Sequence, residues 1–219
     1  MPNGEPPSES WLRDEFAADI SVVESERLVQ GRVWNVQRDR FNYLDGQLVR
    51  DFVDHTGAVA VLALNERGEV LLIQQYRHPI AAREWEIPAG LMDALHESGL
   101  ETAKRELIEE ADLEASEWAL LTEIYTTPGG SSECIRVFLA RGLSAAQHDY
   151  VREGEEADLR LEWVALDDAV TAVLERRVQN SVLVAAVLAA HAAKQRGWQT
   201  LADPDEPWTR REWVRGELS

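Results

Sequence analysis

Residues 105–110 read Arg-Glu-Leu-Ile-Glu-Glu, and the interpretation of the whole chain starts from this stretch. It lies within 98–111, a segment whose apolar residues recur at the spacing of one helix face. Ser98 stands three residues before Glu101, which is the arrangement of a capping box at a helix N-terminus. The segment is therefore predicted to be an amphipathic helix.

Three carboxylates of this predicted helix share one band of its surface. At about 100° per residue, Glu109 and Glu110 lie on either side of Glu106, close to the apolar stripe. Like charges four residues apart destabilise a helix by roughly 0.2–0.5 kcal/mol, and Arg105 relieves only part of that repulsion. Oxygen ligands gathered at the edge of a core suit Mg²⁺ or Mn²⁺. Glutamate pairs also occur on solvated helix faces, so the six residues alone leave both interpretations open.

The segments around this helix mix strand and helix patterns. Strands are predicted over 19–29, 32–43, 47–53, 58–64, 69–76, 118–126, 135–140 and 159–164, a loop over 79–90, and helices over 167–177 and 181–196. The first strands carry no helix between them, whereas the later ones alternate with helices. This order favours an α/β or α+β sandwich with an N-terminal β appendage over a regular βαβ array.

The composition of the chain limits the classes of molecule that it is expected to bind. The chain has 219 residues, with 40 acidic against 22 basic side chains and a net charge of −18. Such a balance disfavours binding to nucleic acids and to anionic membranes, which require compensating lysine and arginine. There is one cysteine, so no intrachain disulfide is expected. With no signal peptide recognised and no apolar stretch long enough to span a bilayer, we expect a cytoplasmic protein.

Residues upstream of the helix extend the pattern. Gly90, Glu97 and residues 105–110 together resemble the Nudix box, in which glycine, glutamate and an Arg-Glu…Glu-Glu run follow at fixed spacings. Six residues separate Gly90 from Glu97, one more than in the general pattern, and this extra residue resembles an ADP-ribose pyrophosphatase subgroup. Asp112 replaces the glycine that ends the helix in the family. Aspartate tolerates the left-handed conformation better than most residues, so the departure bears on local stability more than on ligation.

The resemblance to that subgroup covers roughly residues 19–200. Residues 86–90 and 127–133 look like its stretches before and after the box. It implies an α/β/α sandwich with an N-terminal antiparallel β-sheet domain that serves dimerisation. The implied division is a flexible N-terminus over 1–18, the β dimerisation domain over 19–55, the Nudix hydrolase domain over 56–202 and a C-terminal tail over 203–219.

The resemblance also assigns roles around the box. In similar enzymes the glutamate run and the backbone carbonyl before the box glycine bind two or more divalent ions. The residues implied as metal ligands here are Ala89, Glu106, Glu109 and Glu110. The residues implied to hold the loop and helix together are Gly90, Glu97 and Arg105.

Further groups are implied outside the box. A general base is expected from the acidic loop 153–158, where we favour Glu155 or Glu156 beside a contribution from Glu109; a merely solvated loop is the alternative. Arg50 and Arg77 match arginines of the subgroup and suit bidentate phosphate contacts. Glu133 resembles the glutamate that meets the terminal ribose. An ordinary surface arginine and an ordinary loop acid are the other interpretations of Arg50 and Glu133.

The implied reaction is hydrolysis of the diphosphate of ADP-ribose to AMP and ribose 5-phosphate with Mg²⁺ or Mn²⁺, in a homodimer. One alternative is another nucleoside-diphosphate-linked substrate, such as a nucleotide sugar or a dinucleotide. A second alternative is a non-catalytic Nudix domain that senses ADP-ribose. The complete glutamate run favours an enzyme over a sensor.

Overall fold

A computed structural model describes residues 12–94, 97–148, 150, 152 and 158–216. The chain divides into two compact units, with the boundary between Phe52 and Val53. The strands that begin in the first unit are β1 (Val22–Gln30), β2 (Asn35–Tyr43) and β3 (Gly46–Asp54). They form one sheet in the order β1-β2-β3, with β1 and β2 antiparallel.

The described residues of the second unit form two further sheets, four α-helices and one short 3-10 helix. Its strands are β4 (Ala58–Ala63), β5 (Glu69–Arg77), β6 (Ala82–Glu86), β7 (Ala89–Leu91), β8 (Leu113–Tyr125), β9 (Cys134–Ala145) and β10 (Arg160–Ala165). Its helices are α1 (Gly99–Ala111), α2 (Leu166–Leu174), α3 (Ser181–Gln195) and α4 (Thr209–Val214). The sheets run β7-β4-β9-β8 and β10-β5-β6, and β4 and β9 pair in parallel.

Strand β4 lies at the centre of the second unit and is buried along its whole length. Because side chains alternate across a strand, its residues divide between two apolar clusters. Val59 and Val61 pack with the apolar face of α1, whereas Ala60 and Leu62 pack with α2 and α3. Helices therefore cover both faces of the central sheet, which confirms the predicted α/β/α sandwich.

The prediction of a loop over 79–90 is wrong for residues 82–86, which form β6, and for residues 89 and 90, which belong to β7. Neither segment has the length or alternation that identifies a strand in sequence. Their conformation depends on pairing with distant partners, since β6 pairs with β5 and β7 with β4. No helix is predicted in the C-terminal tail, whereas residues 209–214 form α4. None of the described helices is long and apolar enough to cross a membrane.

Candidate active site

Helix α1 begins with the capping box expected from its sequence. The Ser98 hydroxyl accepts a hydrogen bond from the Glu101 backbone N–H at 3.2 Å, and the Glu101 carboxylate accepts one from the Ser98 N–H at 2.8 Å. These two bonds satisfy donors that have no partner within the helix. The start of α1 is therefore fixed by local sequence.

At the end of α1, the C-cap residue Asp112 is contacted by residues far along the chain. Asp112 adopts the left-handed conformation with φ 55°, as its position in the box suggested. Its carboxylate lies 3.0 Å from His148 Nε2 and 2.7 Å from Arg152 Nη2. Arg152 Nε also donates to the carbonyl of Glu109 at 2.8 Å. Burial alone would raise the pKa of Asp112, but the hydrogen bonds and positive charges of Arg152 and His148 lower it below the usual value.

The carboxylates of α1 surround Arg105. Its Nη1 lies 2.7 Å from Glu106 Oε1 and 2.9 Å from Glu109 Oε2, and its Nε lies 3.3 Å from Glu97 Oε2. Burial on its own would lower the pKa of Arg105, but the charges of Glu106 and Glu109 raise it well above its ordinary value. Arg105 therefore remains a cation that holds three carboxylates together.

Glu106 and Glu110 of α1 lie against strand β7. Glu106 is 9% exposed and Glu110 is 5% exposed, which is rare for charged side chains. The Glu110 Oε2 accepts a hydrogen bond from the Ala89 N–H at 2.8 Å. A Cβ added to Gly90 would stand 2.0 Å from the Glu106 carboxyl group. A side chain at position 90 would therefore displace the Glu106 carboxylate from the space that it occupies.

We refer to Glu106, Glu109 and Glu110 as the carboxylate cluster. Three carboxylates of this kind are hard oxygen donors, which Mg²⁺ and Mn²⁺ prefer. Within the described ranges, no three histidine, cysteine or acidic side chains converge closely enough to hold an ion as they are placed. In that arrangement Arg105 contacts Glu106 and Glu109, and the Ala89 N–H contacts Glu110. The donor chemistry at this site therefore fits a divalent cation.

The other residues implied by the resemblance lie in separate surroundings. Arg77 Nε and Nη2 form a fork on the buried carboxylate of Glu86, at 2.7 and 2.6 Å. Arg50 lies exposed on β3, and its Nη1 donates to the carbonyl of Val49 at 2.8 Å. Glu155 and Glu156 lie outside the described residues. The substrate and base roles of these residues remain predictions.

Glu133 belongs to a small polar cluster that sequence analysis did not identify. Its carboxylate accepts a hydrogen bond from the Thr126 hydroxyl and lies 3.3 Å from His55 Nε2. His55 is buried, and its Nδ1 accepts a hydrogen bond from the Gly57 N–H at 3.1 Å. This bond leaves the imidazole proton on Nε2, facing Glu133. A lone histidine gives no signal in sequence, so only the fold could find this contact.

A cavity of about 550 Å³ lies away from the carboxylate cluster. Trp85 and Arg160 line it, with the guanidinium 5.3 Å from the ring centroid. Leu72, Leu183 and other side chains of the apolar cluster that includes α2 and α3 line it as well. It therefore does not border the α1 side of the central sheet.

Comparisons of the chain with known proteins identify its family. The family model described as NUDIX domain matches residues 54–187. An ADP-ribose pyrophosphatase of Mycobacterium tuberculosis is 40% identical over 175 residues, which cover 80% of this chain and 84% of that protein. A methanol dehydrogenase activator of Bacillus methanolicus is 35% identical over 168 residues, or 76% of this chain and 89% of that protein.

A solved structure and a further relative agree with that match. An ADP-ribose pyrophosphatase of Bacillus subtilis is 33% identical over 161 residues, covering 73% of this chain and 86% of that protein. The crystal structure of an ADP compounds hydrolase superposes with a TM-score of 0.68 over 81% of this chain and 96% of that one, at 22% identity, and so shares the fold. The Gly90, Glu97 and Arg105–Glu110 arrangement and these matches show that the chain belongs to the Nudix family.

Proposed function

We propose that this chain is a metal-dependent pyrophosphohydrolase that cleaves the diphosphate of ADP-ribose, giving AMP and ribose 5-phosphate. The observation that carries the proposal is the complete carboxylate cluster, held by Arg105 against Gly90. The names of the 40% and 33% identical relatives support the choice of ADP-ribose. A sensor without catalysis would have no need to retain all three carboxylates.

The residues that would hold Mg²⁺ or Mn²⁺ are the carboxylate cluster and the carbonyl of Ala89, for two or more ions. When bound, the ions supply charge that neutralises the diphosphate oxygens and a lowered pKa for the attacking water. Arg105 and Glu97 keep the cluster in place, and Gly90 leaves room for Glu106. Glu155 or Glu156, or Glu109 itself, would accept a proton from the attacking water.

Substrate contacts are proposed from the chemistry of three side chains. Arg77 presents a guanidinium oriented by Glu86, and such a fork matches phosphate oxygens. Arg50 offers a second exposed guanidinium. Glu133 would accept hydrogen bonds from ribose hydroxyls, and its carboxylate is already oriented by His55 and Thr126.

We also propose that the enzyme works as a cytoplasmic homodimer on a small nucleoside diphosphate substrate, without nucleic acid or membrane. Apolar side chains lie exposed on the N-terminal sheet, which supports dimerisation through it. The single cysteine suits a reducing compartment.

The test is product analysis after incubation with ADP-ribose and Mg²⁺ or Mn²⁺. We expect AMP and ribose 5-phosphate, and Glu106→Gln and Glu110→Gln should each lose most turnover while the protein stays folded. Glu114→Gln, an exposed acid on β8, is the matched control. Rapid cleavage of nucleotide sugars or dinucleotides but not of ADP-ribose would contradict the substrate. Tight binding of ADP-ribose without cleavage would contradict the enzyme and favour the sensor.

A further inference from the structure

The residues after α3 form a segment that the sequence pattern did not explain. We call residues 202–215 the C-terminal segment. They lie beyond residue 187, where the family match ends. The segment is attached to the second unit at its beginning, because Ala202 and Leu120 exchange backbone hydrogen bonds at 3.0 and 3.1 Å.

Arg136 on β9 holds the middle of this segment. Its side chain is buried, with 4% of the residue exposed. Nη1 donates to the carbonyl of Glu206 at 2.6 Å, and Nη2 donates to that of Pro207 at 3.1 Å. Nε donates to Glu123 Oε1 at 2.8 Å. A buried guanidinium is costly unless it is paired, and here it is paired partly with the backbone of the C-terminal segment.

Trp208 connects the segment to the start of α1. It is 7% exposed, and the Arg136 guanidinium lies 5.0 Å from its ring centroid. It packs in the same apolar cluster as Met92 and Leu100. A Cβ built on Gly99 would stand 3.7 Å from Trp208 Cε3. The indole therefore touches the first residues of the helix that carries the carboxylate cluster.

Arg211 on α4 contacts the connection between β3 and β4. Its Nε donates to the carbonyl of Thr56 at 2.9 Å, and its side chain lies 3.2 Å from where a Cβ on Gly57 would stand. Gly57 has φ 85°, and its carbonyl accepts a hydrogen bond from the Met92 N–H at 3.0 Å. Arg211 thus braces the backbone that holds Met92, just after β7.

We infer that the C-terminal segment positions α1 against β7, with Arg136, Trp208 and Arg211 as positioning residues for the reaction proposed above, on which the catalytic part of this inference rests. Contacts of the segment reach two points within the first part of the box, because Trp208 shares an apolar cluster with Met92 and lies beside Gly99. Glu106 occupies the space beside Gly90 on β7, so a shift of α1 relative to β7 would move its carboxylate relative to that strand. A misplacement of about 1 Å at a reacting group can cost 100-fold in rate.

The experiment compares Arg211→Ala with Arg196→Ala in the full chain. Arg196 is the matched control because it is an exposed arginine whose Nη1 donates to Ala192 of its own helix. Amide hydrogen exchange at residues 97–103 and the kinetic constants for ADP-ribose are measured for both. We expect faster exchange at the start of α1 in Arg211→Ala, with kcat lower by about tenfold and KM within about twofold.

Trp208 gives a second, graded comparison. Trp208→Phe keeps an aromatic ring beside Gly99 and should retain most of kcat, whereas Trp208→Ala should lose it together with protection from exchange. Equal exchange and equal kcat in Arg211→Ala and Arg196→Ala would overturn the inference, as would an effect of Arg211→Ala on KM alone. If the unmodified protein cleaves no ADP-ribose, the proposed function fails, and the exchange comparison alone decides whether the segment positions α1.

Discussion

Position 90 shows how a single residue controls the geometry of the carboxylate cluster. Gly90 does not lie in the left-handed region, so alanine is compatible with its backbone. What alanine would lack is space, because the Glu106 carboxyl group lies 2.0 Å from its Cβ position. A side chain at position 90 is therefore opposed by its contact with Glu106 and not by the backbone conformation.

We predict that Gly90→Ala displaces Glu106 and abolishes most turnover of ADP-ribose. Because the displaced atoms are the end of a flexible side chain, the free energy of unfolding should fall by no more than about 1 kcal/mol, as measured by urea denaturation. Gly46→Ala is the control, since nothing lies within 4 Å of its Cβ position. Full activity in Gly90→Ala would mean that the position of Glu106 does not matter for the reaction.

A second prediction at this scale concerns Cys134 and alkaline pH. Burial raises the pKa of its thiol from 9.0 to about 11. Between these values the unfolded chain releases the thiol proton while the folded chain keeps it, so ionisation favours unfolding. The contribution of Cys134 to stability is complete below pH 9 and is lost as the pH rises through 11.

Comparison with Cys134→Ala isolates this effect from other groups that titrate in the same range. The free energy of unfolding of the unmodified protein should fall more steeply than that of the variant between pH 9 and 11, by about 1.4 kcal/mol for each unit of pKa difference. Parallel curves would show that the thiol ionises equally easily in both states.

At the scale of elements, α1 shows what sequence can and cannot predict. Its boundaries, its capping box and the left-handed Asp112 follow from residues within one or two turns, so they were predicted correctly. His148 and Arg152 contact the Asp112 carboxylate from 36 and 40 residues away along the chain. No local sequence pattern predicts such contacts. The same limit explains β6 and β7, whose strands exist only through pairing with β5 and β4.

The candidate site also has one part that local sequence predicts and another part that depends on the tertiary fold. The carboxylate cluster could be predicted because its members share one helix face. The contact of Glu133 with His55 joins a loop to the end of a distant strand, so it depended on the tertiary fold. Roles for Arg50, Arg77 and the acidic loop came from the resemblance and from the chemistry of their side chains, and they stay predictions.

The prediction at the scale of elements concerns the capping box of α1. Ser98→Ala removes the hydroxyl that accepts from the Glu101 N–H and should destabilise the protein by about 1 kcal/mol. Ser144→Ala is the control, because its hydroxyl donates to exposed Glu114 and should contribute less than about 0.5 kcal/mol. Thermal or urea unfolding measures both. Equal losses would show that Ser98 acts as an ordinary surface serine.

At the scale of the whole molecule, the described part of the first unit lacks the buried apolar core that the second unit contains. Both apolar clusters of buried residues lie in the second unit, and the described residues before Val53 contribute no buried apolar side chain. Every residue of β1 is exposed. A small sheet without an apolar face covered by other elements is only marginally stable in water. Exposed apolar residues on this sheet include Val22, Val23, Val29, Tyr43 and Val49.

We predict that a second copy of the chain covers this sheet, so that a charge placed on it weakens the dimer. In Val29→Glu the carboxylate would have to lose water at the interface, which should raise the dimer dissociation constant by more than about tenfold, or 1.4 kcal/mol. Leu174→Glu, at an exposed apolar position on α2, should leave the constant unchanged. Sedimentation equilibrium measures all three proteins. A monomeric unmodified chain at micromolar concentration, or equal weakening in both variants, would contradict dimerisation through the N-terminal sheet.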